Sequence, residues 1–246
     1  MNLPCSPVPP GISIRQLSLN YGQQPLFSQL DLEIAGGAFT ALLGASGVGK
    51  SSLMRVIAGL TPPCAGQVSG SDGLPLTGRI AWMGQQDLLY PWLTVEQNVC
   101  LASRLKGERA DRDWAQHLLM RVGLSHSANA RPATLSGGMR QRAALARTLY
   151  TRQPVVLMDE PFSALDALTR AQIQTLSAEV LVGHTVLLIT HDAAEACRLS
   201  HYVLMIGSAG IETCPPLPGQ PPRAADDIQV LQSQAALLKQ LSRIAG

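Results

Sequence analysis

The apolar positions of this chain change their period as it proceeds, and the changes mark out its elements. Ile12-Ser13-Ile14, Leu17-Ser18-Leu19 and Leu30-Asp31-Leu32-Glu33-Ile34 alternate apolar with polar residues. A period of two puts every second side chain on one face, so these runs predict half-buried antiparallel strands. After Gly36-Gly37 the pattern turns continuous in Phe39-Thr40-Ala41-Leu42-Leu43, as a strand covered on both faces requires. Arg79 to Met83, Val155 to Asp159, Thr185 to Thr190 and Tyr202 to Ile206 are also strand-like, several with helical segments between them. Strands alternating with helices predict an α/β fold with a mainly parallel sheet. From Asp87 to Arg152 no strong strand pattern occurs, and Val95 to Lys106 and Asp113 to Val122 read as helical. Residues of about 87–152 are therefore expected to form an inserted helical lobe.

The ends differ from this body. Of the 17 prolines, four fall in residues 1–10 and five in 215–222. Segments 1–11 and 214–224 are thus expected to be Pro-rich and irregular, bracketing a domain of residues 12–213. In 225–246, Ile228, Leu231, Ala235, Leu238 and Leu241 recur at three- and four-residue spacing. That stripe predicts an amphipathic helix docked on the protein's own surface.

Composition sharpens the picture. In 246 residues, 46% are hydrophobic and only 15% charged, and the mean hydropathy is +0.13. The core is amply supplied, but the low charge raises a membrane reading. Apolar runs such as Val186–Ile189 and Tyr202–Ile206 are far short of the ~18 residues a span needs, so no crossing of a bilayer is expected. A net charge of +2 provides no general field for nucleic acid. Cys5, Cys64, Cys100, Cys197 and Cys214 are scattered without a CxxC pair, which predicts neither a disulfide framework nor a zinc site and fits a reducing cytoplasm. The opening MNLPCSPVPP has no basic region or apolar run, so neither a signal peptide nor lipidation at Cys5 is expected.

Chemistry enters where the buried strand ends. Gly44, Ala45, Ser46, Gly47, Val48, Gly49, Lys50 and Ser51 match G-x-x-x-x-G-K-[ST] at every constrained position, with a helix expected over Ser52 to Leu60 and stopped by Pro62-Pro63. Glycines let backbone N–H groups surround phosphate oxygens, and the helix N-terminus adds partial positive charge. Lys50 supplies a point charge to the phosphates and the Ser51 hydroxyl can ligate Mg²⁺. A second feature is the acidic end of Val155-Val156-Leu157-Met158-Asp159-Glu160. Asp159 is placed to hold the Mg²⁺ shell and Glu160 to polarise an attacking water. These two features predict a P-loop nucleotide-binding protein.

Leu135-Ser136-Gly137-Gly138-Met139-Arg140-Gln141-Arg142 narrows the class, because it resembles the LSGGQ signature of ABC ATPases. The resemblance spans about residues 12–206. It implies a P-loop core with an antiparallel subdomain at its N-terminus and an inserted helical lobe. It also implies ATP and Mg²⁺ as ligands, with Ser52 joining the P-loop residues around the nucleotide. Ser136, Gly137 and Gly138 would form a second phosphate cradle, used in a head-to-tail homodimer where each ATP lies between one P-loop and the other subunit's signature. Further positions match motif by motif. Gln85 resembles the glutamine that contacts Mg²⁺ or water, with Gln86 as the neighbouring register. Ser163-Ala164-Leu165-Asp166 resembles the loop crossing the dimer interface, and His191 the histidine that senses the terminal phosphate. Tyr21 stands where the family stacks an aromatic on adenine. His117, His126, His184 and His201 have no such context. Met139 departs from the usual glutamine, which is expected to alter local packing and not activity.

A single cassette with a compact lobe resembles transporter subunits. The membrane permease would then be a separate chain, as is usual for importers that also use a solute-binding protein. Tyr90 and Trp92, just beyond Gln85, resemble the stretch that receives the permease's coupling helix; packing within the lobe is the alternative. Arg140, Arg142 and Arg147 read as the polar face of the signature helix. The expectation is an ATP-hydrolysing subunit of a small-solute importer, on the cytoplasmic face of a bacterial inner membrane. An exporter subunit, or a soluble ABC ATPase acting on a protein or nucleic-acid complex, is the alternative.

Overall fold

The computed structural model describes residues 9–22, 24–163, 165–207 and 210–244. Most of the Pro-rich N-terminal segment, including Cys5, lies outside them. The chain opens with β1 (Ile12–Tyr21) and β2 (Gln24–Ile34), which pair antiparallel as the alternation predicts. β3 (Phe39–Gly44) follows, then α1 (Lys50–Ile57), β4 (Ala65–Gly70) and β5 (Ile80–Met83). The lobe holds α2 (Val95–Val99), α3 (Leu101–Leu105), α4 (Arg112–Arg121) and α5 (Gly137–Tyr150). The chain then forms β6 (Val155–Asp159), α6 (Ala167–Val180), β7 (Thr185–Thr190), α7 (Ala193–Leu199), β8 (Tyr202–Gly207), β9 (Gly210–Thr213) and α8 (Ile228–Ile244).

Two sheets result. A three-stranded antiparallel sheet has the order β2-β1-β4, and a six-stranded sheet has the order β5-β6-β7-β3-β8-β9. The larger sheet is parallel except for β9, which pairs antiparallel with β8 at its edge. Its central strands are covered on both faces, which is why β3 and β7 read as continuous apolar runs. Val156, Met158, Val186 and Leu188 face the core shared with α4, α5 and α6. The alternate residues Val155, Leu157, Leu187 and Ile189 face a second core with α1 and the antiparallel sheet.

Several details depart from the sequence reading. The P-loop helix is Lys50–Ile57 and not Ser52–Leu60, because α1 starts on the loop itself and closes at Ala58. The single helix expected over Val95 to Lys106 divides at Cys100, which ends α2 and starts α3. β4 and β9 were not anticipated: Ala65-Gly66-Gln67-Val68-Ser69-Gly70 is an edge strand with little apolar content, and β9 has only four residues.

The C-terminal helix forms, but in another register. Val230 and Leu237 are buried, and Leu241 and Ile244 pack beside them on α7 and β8. Of the expected stripe Leu241 packs inward, whereas Ile228, Leu231 and Leu238 are exposed. The preceding Pro-rich stretch is pinned and not loose. The buried Arg223 guanidinium donates to the carbonyls of Cys197 (2.8 Å) and Ser200 (2.7 Å) at the end of α7, and to Pro218 (2.5 Å) and Gly219 (2.9 Å). Among the described residues no helix is long and apolar enough to cross a membrane.

Candidate functional site

β3 delivers the chain to the phosphate-loop segment through Gly44. A Cβ there would lie 2.4 Å from Cγ2 of Ile206 on β8, so only glycine permits this strand pairing. Gly47 and Gly49 adopt φ values of 85° and 97°, a region that side chains disfavour. α1 then begins with no side-chain cap and no acidic residue in its first turn. Its first N–H groups and the positive end of its dipole thus form an anion site. The cleft above has a volume of ≈ 460 Å³ and is bounded by Ser46, Gly47, Gly49, Lys50, Ser51, Ser52 and Glu160. From the antiparallel sheet, Gln24 and Leu26 close its side. These two were not singled out from sequence, since nothing in an alternating edge strand marks them as cleft-lining.

Lys50 is buried, and its Nζ donates to the carbonyls of Gly44 (2.8 Å) and Ala45 (2.7 Å). Burial lowers its pKa, while Glu160 and Asp159 nearby act in the opposite direction. Ser51 Oγ donates to Asp159 Oδ1 at 3.1 Å. Burial pushes the Asp159 carboxyl upward, and the bond from Ser51 partly offsets this. A hydroxyl and a carboxylate side by side are hard oxygen donors of the kind Mg²⁺ takes, with phosphate and water oxygens completing the shell. Among the described residues no group of three or more His, Cys, Asp or Glu could hold a metal alone, so this shared mode is the one the residues fit.

Glu160 follows β6 with φ of 46°, in the left-handed region, which costs on the order of 1 kcal/mol for a non-glycine residue. Its N–H donates to the carbonyl of Ile189 on β7 at 3.0 Å, tying the turn to the neighbouring strand. The side chain reaches the cleft, and Oε2 lies 3.1 Å from His191 Nδ1. Ser163 Oγ donates to the Glu160 carbonyl (3.0 Å) and accepts from Gln85 Nε2 (3.3 Å). Gln85, Ser163, Glu160 and His191 therefore form one connected set, joined to Lys50, Ser51 and Asp159 beneath the loop.

The other expected residues lie elsewhere. Ser136 caps α5, its Oγ accepting from the Met139 N–H at 3.3 Å. Gly138 packs closely on α6: a Cβ would lie 2.4 Å from Cγ2 of Thr169, which would have to shift to admit a side chain. Asp166 caps α6 by accepting from the Thr169 N–H at 3.0 Å, a bond that holds its carboxyl below the usual range. Ser136, Gly137, Gly138 and Asp166 do not line this chain's own cleft. Met139 packs against the lobe core, and the Tyr21 side chain and Ala164 lie outside the described residues.

The signature-helix arginines are not a free polar face. Arg140 Nε lies 3.0 Å from Asp87 Oδ2, and Arg147 donates to the carbonyls of Leu88 (2.7 Å) and Asp87 (2.6 Å). Arg142 donates to the Val122 carbonyl at 3.1 Å. Gln141, buried on the same helix and given no role by the sequence, donates to the carbonyl of Pro161 beside Glu160. The loop fixed by Arg140 and Arg147 carries Leu88, Tyr90 and Trp92, which are 62%, 40% and 65% exposed. The two rings meet edge to face at 5.3 Å, outside the lobe core and not within it.

The chain is similar to known proteins. Residues 27–163 match the family model described as ABC transporter. An aliphatic sulfonates import ATP-binding protein of Paracoccus denitrificans is 42% identical over 240 residues, covering 97% of this chain and 94% of that protein. A protein of the same description from Pseudomonas syringae pv. syringae is 45% identical over 181 residues, 73% of each chain. Among solved structures, cbiO1 from Clostridium perfringens, part of the ABC transporter complex cbiONQ, aligns with a TM-score of 0.71 at 25% identity. The match covers 79% of this chain and 83% of that one.

Proposed function

The chain belongs to the ABC transporter family as one of its ATP-binding, ATP-hydrolysing subunits, and from that premise we propose that it powers a membrane importer of a small solute. The observation that carries the catalytic reading is the connected set Ser51–Asp159 and Glu160–His191 beneath an uncapped helix N-terminus. Loop amides and Lys50 hold the phosphates of ATP. Ser51 and Asp159 would hold Mg²⁺, which when bound neutralises phosphate charge. Glu160 orients water at the terminal phosphate and accepts its proton on the carboxylate. His191 steadies Oε2 of that carboxylate through Nδ1, leaving the other oxygen for water.

Ser136, Gly137, Gly138 and Asp166 serve the second copy in a head-to-tail dimer. This accounts for two anion-binding helix starts that do not share a cleft. Leu88, Tyr90 and Trp92 form the permease-docking surface, since exposed aromatics on a braced loop are suited to anchor a partner. Docking there places the protein at the cytoplasmic face of the membrane. Relatives named for aliphatic sulfonate import support import over export and make an alkanesulfonate the first solute to test. Cells lacking this chain are expected to lose uptake of a radiolabelled alkanesulfonate. Wild type is expected to restore it and Lys50→Ala is not. Undiminished uptake would assign another solute, while ATPase activity unaffected by Lys50→Ala would remove the catalytic reading itself.

A further inference from the structure

Among the described residues His191 has one side-chain partner, Glu160, and its ring is about half exposed. Its aim therefore depends on how the turn between β7 and α7 is held. That turn is fixed by a residue outside every motif discussed above. Glu195, in the first turn of α7, is 5% exposed. Its Oε2 accepts from Thr190 Oγ1 at 2.7 Å, and the same hydroxyl accepts from the Asp192 N–H at 3.0 Å. One buried carboxyl thus clamps the residues immediately before and after His191. Asp192 is further tied by accepting from the Ala194 N–H (2.8 Å) and by facing Arg170 Nη1 (3.8 Å), whose other nitrogen donates to the Leu165 carbonyl (3.0 Å).

Burying a carboxyl is costly: burial raises the Glu195 pKa against the pull of its Thr190 bond. An apolar side chain would fill the space at lower cost, but it would leave the Thr190 hydroxyl without an acceptor. We propose that Glu195 is a positioning residue for His191, acting through Thr190 to set the distance and direction of the imidazole toward Glu160. The inference rests on His191 working with Glu160 in hydrolysis. Glu195 touches neither nucleotide nor water.

The test compares Glu195→Ala, Glu195→Gln, Thr190→Val and His191→Ala, alone and with His191→Ala combined with Glu195→Ala. Folding is checked by circular dichroism and ATPase kinetics are measured under one condition. Misplacing a catalytic group by about 1 Å costs up to about 10²-fold. Glu195→Ala and Thr190→Val are therefore expected to lower kcat at least about tenfold, with KM for ATP within about twofold. Glu195→Gln, which keeps an acceptor for the Thr190 hydroxyl, is expected to recover most of the rate. Adding Glu195→Ala to His191→Ala should cost nothing more. Normal kcat in a folded, merely less stable Glu195→Ala protein overturns the inference and leaves the reading of His191 intact. Losses that multiply in the double variant also overturn it. A His191→Ala protein with full activity removes both.

Discussion

His201 shows how much one imidazole does outside the nucleotide site. Its Nδ1 accepts from the Phe39 N–H at 3.0 Å while the His201 backbone N–H donates to the Phe39 carbonyl at 2.8 Å, closing the start of β3 against β8. Burial and the nearby Arg223 lower its pKa from 6.5. A histidine depressed in the fold favours the neutral form, so its contribution is complete above the unfolded value. It is lost as pH falls from 6.5 through the folded value. Urea titrations are expected to show stability declining over that window, with a shallower decline in His201→Gln. The reactive residues were legible because their roles dictate rare combinations: Lys50 and Ser51 after spaced glycines, and Asp159-Glu160 at an apolar strand end. Glu195 and Arg223 were not. A buried charged residue is recognised by what surrounds it, and its partners at Thr190, Cys197 and Ser200 are ordinary residues in the sequence.

Helix α8 carries two apolar stripes, and periodicity alone does not say which one is buried. Arg223 anchors the approach to the helix and presents Val230, Leu237, Leu241 and Ile244 to α7 and β8. The register is testable with adjacent leucines, one 4% and the other 46% exposed. Leu237→Ala is expected to cost about 2–4 kcal/mol and Leu238→Ala less than about 0.5 kcal/mol, both by chemical denaturation. The reverse order would restore the sequence-based register. Arg223→Met removes charged hydrogen bonds to carbonyls at the end of α7, a loss of about 1.5–3 kcal/mol by the same measurement. The strands with full apolar runs were legible as elements. β4 and β9 were not, because edge strands owe their existence to a neighbour's backbone and need no apolar pattern.

The assembled chain has two glycine-flanked helix starts that do not share a cleft. One opens into the cleft with Lys50 and Glu160, and the other, capped by Ser136, lies away from it. It also exposes Leu88, Tyr90 and Trp92 on a loop bolted to the signature helix by Arg140 and Arg147. Part of the low charge evident in the composition thus appears as exposed apolar surface on that loop and along the outer stripe of α8, in addition to the core. A single-chain sequence discloses such surfaces poorly, since an exposed tryptophan and a buried one leave the same pattern. In the proposed cycle ATP closes two copies around shared nucleotides, and Glu160 then activates water. The most direct measurement is the size of Glu160→Gln in saturating Mg-ATP, taken with its turnover. Abolished turnover, intact ATP binding and an accumulating dimer that dissociates when nucleotide is removed are expected. A variant that stays monomeric and hydrolyses ATP at the wild-type rate would contradict it.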